Sequence, residues 1–223
     1  MKILAFDTSS EYCSIALWMD GEILSRSVFA GQRHSELLRP MLQELLAQAG
    51  LTLVKLDGVA FGAGPGSFTG LRIACGVAQG LAFGSNLPVI GISTLEALAL
   101  QSGKNSVITA IDAHMGEIYH AAYVKSADDW LPVSKPTLCL PRRAPLVSGD
   151  NWIGCGSGFG IYGEDLRSHY GSCITHIESG LKPRAREIAQ LAKQGFAKGL
   201  AVEPVDAAPI YIRNKVALKE SER

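Results

Sequence analysis

Two short stretches of the chain read alike: "AFD" at 5–7 and "AID" at 110–112, each a hydrophobic run that ends in an aspartate. Ala16 and Ala121 then match in the apolar runs that follow. In both places a strand ends in an acidic turn and returns as a second strand, and "QSGKNS" at 101–106 reads as a linker between them. A repeated unit of this size buries its apolar face only by packing on a neighbour, so the recurrence restricts the chain to two related α/β halves. The expected organisation is a first lobe over residues 1–103 and a smaller, reduced second lobe over 104–223. The terminal segment is expected to pack back on the first lobe.

Within the first lobe, "ILAFDTSS" and "CSIALWM" read as strands, and Asp20-Gly21 marks a hairpin into a third strand through Val28. In "HSELLRPMLQELLAQAG", Leu37, Leu38, Met41, Leu42, Leu45, Leu46 and Ala49 recur at helical spacing, with Gly50 closing the segment. Pro40 lies inside it and removes a backbone hydrogen bond, which predicts a late start or a slight kink. "LDGVAFG" is a strand, 71–84 a helix, "LPVIGI" a strand and 94–101 a helix. The second lobe continues with a loop-rich stretch, "CLPRRAPLVSGDNWIGCGSGFG", and a helix from about 185 to 198. Paired lobes that each open with a hairpin beside an aspartate resemble the actin, heat-shock ATPase and sugar-kinase superfamily, a duplicated ribonuclease H-like α/β fold.

Charge narrows the function. Twenty-one basic and 21 acidic side chains cancel among 223 residues, whereas a chain that binds nucleic acid by itself draws on a basic excess. Arg142-Arg143, Lys182 to Arg186 and Arg213 to Lys219 read as solvated surface. Only four apolar residues in a row stand before Asp7, so no signal peptide is expected at the start. The apolar stretch from Leu71 to Gly84 is too short to span a bilayer and contains Arg72 and Gln79. Cys13, Cys75, Cys139, Cys155 and Cys173 form no CxxC pair, so reduced thiols and a cytoplasmic location are expected.

The most conspicuous stretch is "GAGPGSFTGLRIACGVAQG" at 62–80, a glycine loop followed by a helix. It lacks the lysine of a P-loop and the third glycine of a dinucleotide fingerprint. A strand, a glycine loop and a helix N-terminus are nonetheless competent to hold an anion or nucleotide, with Asp7, Thr8, Ser9, Gly64, Gly66, Ser67 and Gly70 as candidates. The alternative is a tight turn that lets two elements approach. Gly76, Gly80 and Gly84 recur every four residues along one helical face, and mid-helix glycine costs about 1 kcal/mol relative to alanine. A close backbone contact is expected there, within the lobe or on a partner.

Catalytic constellations are poor. There is no HExxH, and His34-Ser35-Glu36 lacks the PCxxC of zinc deaminases. Asp7 and Asp112 stand at strand ends, as the magnesium-binding acids of phosphoryl-transfer enzymes do; acidic turns capping local N–H groups explain them equally well.

"ILAFDTSSEYCSIAL", "HSELLRPMLQELL", "GAGPGSFTGLRIACGVAQGLAFGSNLPVIGISTLEALA", "IDAHMGEIY" and "PIYIRNKVALK" together resemble the bacterial TsaB family, also called YeaZ. The resemblance covers nearly the whole chain in order, and GPGSFTGLR is highly specific. That family is similar to the larger TsaD proteins, which with TsaE and TsaC make N6-threonylcarbamoyladenosine beside the anticodon of ANN-decoding tRNAs. Where TsaD carries an HxxxH metal motif, this chain places Thr94 and Leu98, neither able to bind a metal as imidazole does. The resemblance therefore implies a non-catalytic subunit with no metal or cofactor of its own and with ATP or ADP at most at the complex interface. It implies docking on TsaD through helices 35–49 and 71–84 (Leu38, Leu42, Leu45, Arg72, Gly76 and Gly80), TsaE joining the complex, and tRNA bound only through it. A homodimer is expected when TsaD is absent. The rival readings are a small ATP-dependent phosphotransferase using Asp7, Asp112 and the loop, and a peptidase, for which no nucleophile or metal site is found.

Overall fold

The computed structural model describes residues 1–213 apart from Asp128. The first lobe contains β1 (Lys2–Asp7), β2 (Tyr12–Met19), β3 (Glu22–Phe29), α1 (His34–Gln48), β4 (Gly58–Gly64), α2 (Phe68–Ser85), β5 (Val89–Ser93) and α3 (Thr94–Gln101). The second contains β6 (Ser106–Asp112), β7 (Ile118–Ser126), β8 (Asp129–Cys139), β9 (Trp152–Cys155), α4 (Ser157–Ile161), α5 (Gly163–Tyr170) and β10 (Ile174–Glu178), after which the chain enters α6 (Ala185–Ala197).

The duplication signalled by three residues extends through the whole sheet. The strand orders are β3-β2-β1-β4-β5 and β8-β7-β6-β9-β10, one topology built twice. In each sheet the first three strands form an antiparallel meander, and the last two run parallel to the first. The registers differ by one step, since Ala5 faces Ala16 whereas Ala110 faces His120. Residues 8–13 separate the paired Asp7 and Ser14, whereas only 113–117, one residue fewer, separate the paired Asp112 and Ile118, and this shortening slides the second hairpin.

The second lobe is reduced in its helices and complete in its sheet. Between β9 and β10 the five-residue α4 and eight-residue α5 stand where the first lobe has α2 of 18 residues, and a 3-10 turn at Pro141–Arg143 stands where it has α1 of 15. The stretch that reads as loop-rich holds β9, four residues buried on both faces. A strand covered on both sides shows no alternation, so nothing in its pattern separates it from a loop of small residues.

Five layers result. One core lies between the first sheet and α1 and α2, with Phe6, Ile15, Leu38 and Phe61 at its centre. A second lies between the two sheets, where α3 and α6 pack side by side against Ile3, Ala5, Val107 and Tyr123. The third lies under α4 and α5. α6 therefore packs across β1, β2, β4 and β5, on the first lobe, although its sequence follows the second. Its first N–H, on Ala185, donates to Ser14 Oγ at 2.9 Å. The second lobe as a packed unit ends with β10, short of the expected boundary at 223.

After α6 the chain straps the first lobe. Val202 bridges Val89, and Ile210 N–H donates to the Ala63 carbonyl at 2.7 Å. Arg213 then reaches the second lobe, donating to the Ala113 carbonyl at 2.9 Å and pairing with Glu117 at 2.8 Å. It is thus committed between lobes and is no solvated cation; Lys215 lies outside the described residues. α1 begins at His34 and runs through the exposed Pro40, so the helix has no late start. Among the described residues no helix is long and apolar enough to cross a membrane.

Candidate functional site

The glycine loop joins β4 to α2 and is filled by the turn after β1. Thr8 Oγ1 donates to the Gly70 carbonyl at 2.7 Å, and Ser67 N–H donates to the Ser9 carbonyl at 2.8 Å. Ser67 caps α2, its hydroxyl accepting from Gly70 N–H. A Cβ on Gly70 would stand 1.8 Å from the Thr8 carbonyl oxygen, and one on Gly66 would stand 2.6 Å from that of Ser9. Two amides that an anion would need are therefore spent inside the protein, and carbonyl oxygens occupy the concavity. Of the two readings of the loop, the turn that lets elements approach is the one built here. Gly64, at φ 118°, supplies the left-handed backbone the turn requires.

Asp7 and Asp112 make the same turn in their two lobes. Asp7 Oδ1 accepts from Ser9 N–H at 3.1 Å, and Asp112 Oδ1 accepts from His114 N–H at 2.9 Å. This is the local capping role of an acidic turn. Their surroundings differ. Asp7 is fully buried beneath Gly62, whose Cβ would fall 1.9 Å from Oδ2, and that oxygen has no hydrogen-bond partner. Burial pushes its carboxyl up to about 6, against the lowering effect of the Ser9 amide and hydroxyl. Asp112 instead lines the cleft between the lobes, where Tyr162 OH and His114 Nδ1 meet it at 3.2 and 3.1 Å.

That cleft encloses about 980 Å³, bordered by Ser9, Ser67, Asp112, His114, Lys182 and Arg213. Of its two main cations, Arg213 is paired with Glu117, and Lys182 pairs with Glu11 at 3.0 Å. A triphosphate entering it would meet carbonyls and a carboxylate with both cations already engaged, so the donor set does not fit a phosphate-binding site.

The positions corresponding to the HxxxH histidines do not fit a metal either. Thr94 is buried and donates its hydroxyl to the Pro65 carbonyl, bracing the glycine loop, and Leu98 is buried in the middle core. No group of three or more His, Cys, Asp or Glu able to hold a metal occurs among the described residues. His34 is buried at the start of α1, while Ser35 and Glu36 face solvent, so the HxE triplet forms no site.

The expected docking residues separate into two groups. Leu38, Leu42 and Leu45 are buried in the outer core, on the face of α1 that packs against β2. They are core residues and not a contact surface, because the sheet needs one apolar helical face and they supply it. Arg72, Gly76, Gly80 and Gly84 face outward on α2. A Cβ on any of the three glycines would have no heavy atom within 4 Å, so the glycine face meets nothing within the lobe. Arg72 is held over the Phe68 ring at 3.9 Å and donates to Tyr211 OH at 3.1 Å. Phe83, 81% exposed beside Gly80 and Gly84, belongs to the same face. Its sequence signal was an aromatic three residues after Gly80 in a stripe of small residues, which reads equally well as core.

Comparisons with known proteins agree with this architecture. A family model described as TsaD, tRNA N6-adenosine threonylcarbamoyltransferase, matches residues 27–144. The tRNA threonylcarbamoyladenosine biosynthesis protein TsaB of Escherichia coli K12 is 39% identical over 230 residues, covering 99% of this chain and 98% of that one. Its Haemophilus influenzae counterpart of the same name is 36% identical over 234 residues, at 99% and 97% coverage. The solved structure of YeaZ from Pseudomonas aeruginosa superposes with a TM-score of 0.88 at 37% identity, covering 94% of this chain and 99% of that one. The topology, the filled glycine loop and these relatives lead to one conclusion: the chain belongs to the TsaB (YeaZ) family of tRNA threonylcarbamoyladenosine biosynthesis proteins.

Proposed function

We propose that this protein is a non-catalytic subunit that binds TsaD and holds it active during N6-threonylcarbamoyladenosine formation on ANN-decoding tRNAs. The observation that carries the reading is the outward glycine face of α2. Three glycines spaced every four residues weaken a helix, yet none is needed for packing inside the lobe. An approaching helix gains from the absence of side chains there, and Phe83 and Arg72 flank it with an aromatic and a cation. TsaE and tRNA are engaged by the assembled complex, and ATP or ADP, where present, is held at the interface. Without TsaD the same face pairs with a second copy, as an exposed self-complementary face permits. The phosphotransferase reading loses its support because the loop amides are satisfied and Asp7 is sealed beneath Gly62.

Gly80→Leu tests the docking face. The substitution removes a helix-weakening residue and clashes with nothing in the chain, so the melting temperature should hold or rise. Overpacking a close helix contact costs about 1–3 kcal/mol, so TsaD binding, measured by calorimetry, should weaken by roughly one to two decades. Unchanged TsaD affinity would remove α2 from the interface.

A further inference from the structure

Away from the cleft and the glycine face, a groove of about 480 Å³ runs between the facing edges of the two sheets. Ile90 and Ile92 of β5 and Trp130 and Leu131 of β8 form its walls, and Leu191 of α6 forms its floor. The volume falls within the range of small-ligand pockets, about 300–1,000 Å³, and the lining combines these apolar walls with a polar set of Ser93, Glu96, Asp129, Gln194, Lys198 and Asp206.

Two carboxylates in this groove have no side-chain partner among the described residues, the exposed Asp206 and the half-buried Glu96, and only the second is withdrawn from solvent. Ser93 to Glu96 spell a capping box at the start of α3, in which the glutamate normally bonds back to the N-cap amide. Only half of it forms: Ser93 Oγ accepts from Glu96 N–H at 3.4 Å, and the Glu96 carboxylate returns no bond. It makes no hydrogen bond or ion pair with any described residue and lines the groove instead. Lys198 cannot neutralise it fully, since its ammonium is paired with Asp129 Oδ1 at 2.6 Å at the groove mouth. Desolvation pushes the Glu96 carboxyl up to about 7, with Lys198 opposing and Asp129 reinforcing the shift. A half-buried carboxylate bordered by aliphatic walls and a self-compensated ion pair is complementary to an ammonium group on a short alkyl chain.

We infer that the groove between β5 and β8 is a binding site for a small aliphatic amine, whose ammonium group pairs with Glu96 while its alkyl chain lies against Ile90, Ile92 and Leu191. The site is separate from the glycine face, so TsaD docking and amine binding can fail independently.

The probe is n-pentylamine, with 1-pentanol as the uncharged control, titrated into the full-length isotope-labelled chain and followed by amide chemical shifts. At about pH 8 the amine remains protonated and an ordinary carboxylate is charged. The expected result is saturable shifts centred on β5, Trp130 and α6 with the amine, and much weaker ones with the alcohol. Glu96→Gln, which keeps shape and the Ser93 cap, should weaken amine binding by about tenfold or more. Leu200→Trp, at the exposed rim, should weaken it by obstruction with Glu96 intact. Three results would overturn the inference: no saturable shift with the native chain, equal binding of amine and alcohol, or affinity unchanged in a folded Glu96→Gln. Binding of a capped lysine in preference to the free amine would also refute it, because the groove would then receive a partner's side chain and not a small ligand.

Discussion

Asp7 illustrates how much one buried carboxylate depends on its surroundings. It and Asp112 end equivalent strands and make the same turn, yet Asp7 is sealed by Gly62 and Asp112 opens on the cleft. The folded-state value of Asp7, about 6, lies above its ordinary 3.8, so the folded chain holds that proton more tightly than the unfolded one. Its contribution to stability is fully present below pH 3.8 and is lost as pH rises through about 6. Asp7→Asn keeps an oxygen for the Ser9 amide and removes the titration. The difference in unfolding free energy, variant minus native, should grow between those two pH values and then level off at a gain of about 1–3 kcal/mol. Scanning both proteins by calorimetry across pH checks this, and a pH-independent difference would show that Asp7 is not the titrating group. His120, buried with its value depressed to about 4, acts in the opposite direction in both proteins and cancels from the comparison.

α2 contains glycines of two kinds that read identically in the chain. Gly70 presses on the backbone of Thr8, whereas Gly76 faces open space. Backbone cannot move aside as a side-chain tip can, so Gly70→Ala should destabilise by about 1–3 kcal/mol or more through overpacking. Gly76→Ala should stabilise by about 1 kcal/mol, since alanine is the better helix former and nothing obstructs it. Chemical denaturation of the two variants decides the matter, and equal effects would contradict the packing described for this helix. The helix itself was legible from the apolar stretch that follows the glycine loop, three residues short of its true start at Phe68, because the Ser67 cap lies within a run that reads as loop.

For the whole molecule, balanced charge and the placement of its cations point the same way. The formal net charge is zero, and Arg213 is spent on an inter-lobe contact with Glu117. Acidic side chains as numerous as the basic ones oppose a polyanion and leave no basic excess to drive counterion release, so the isolated subunit should not bind tRNA with sub-micromolar affinity at physiological salt. A gel-shift titration with unmodified tRNA measures this directly, and tight binding by the subunit alone would show that a basic surface assembles despite the balanced total. The second lobe was expected over 104–223 with its terminal segment packed back on the first; α6 and the strap lie across the first sheet, so the middle core belongs to both lobes.

The sequence by itself determined the duplicated α/β architecture, the positions of α1, α2, α3 and α6, and the family, because hydrophobic periodicity, glycine punctuation and the GPGSFTGLR segment are local properties. Tertiary structure alone decided which face of each element is covered. Leu38, Leu42 and Leu45 have the same spacing whether they meet β2 or another protein, and only the sheet's position turned them inward. The glycine loop looks fit for an anion until the turn at Thr8 and Ser9 fills it. The partnerless carboxylate of Glu96 is likewise invisible in a chain that spells a complete capping box. The physical reason is common to all three: burial and hydrogen-bond satisfaction depend on what segments distant in sequence bring into contact, and the periodicity of one segment carries no record of its neighbour.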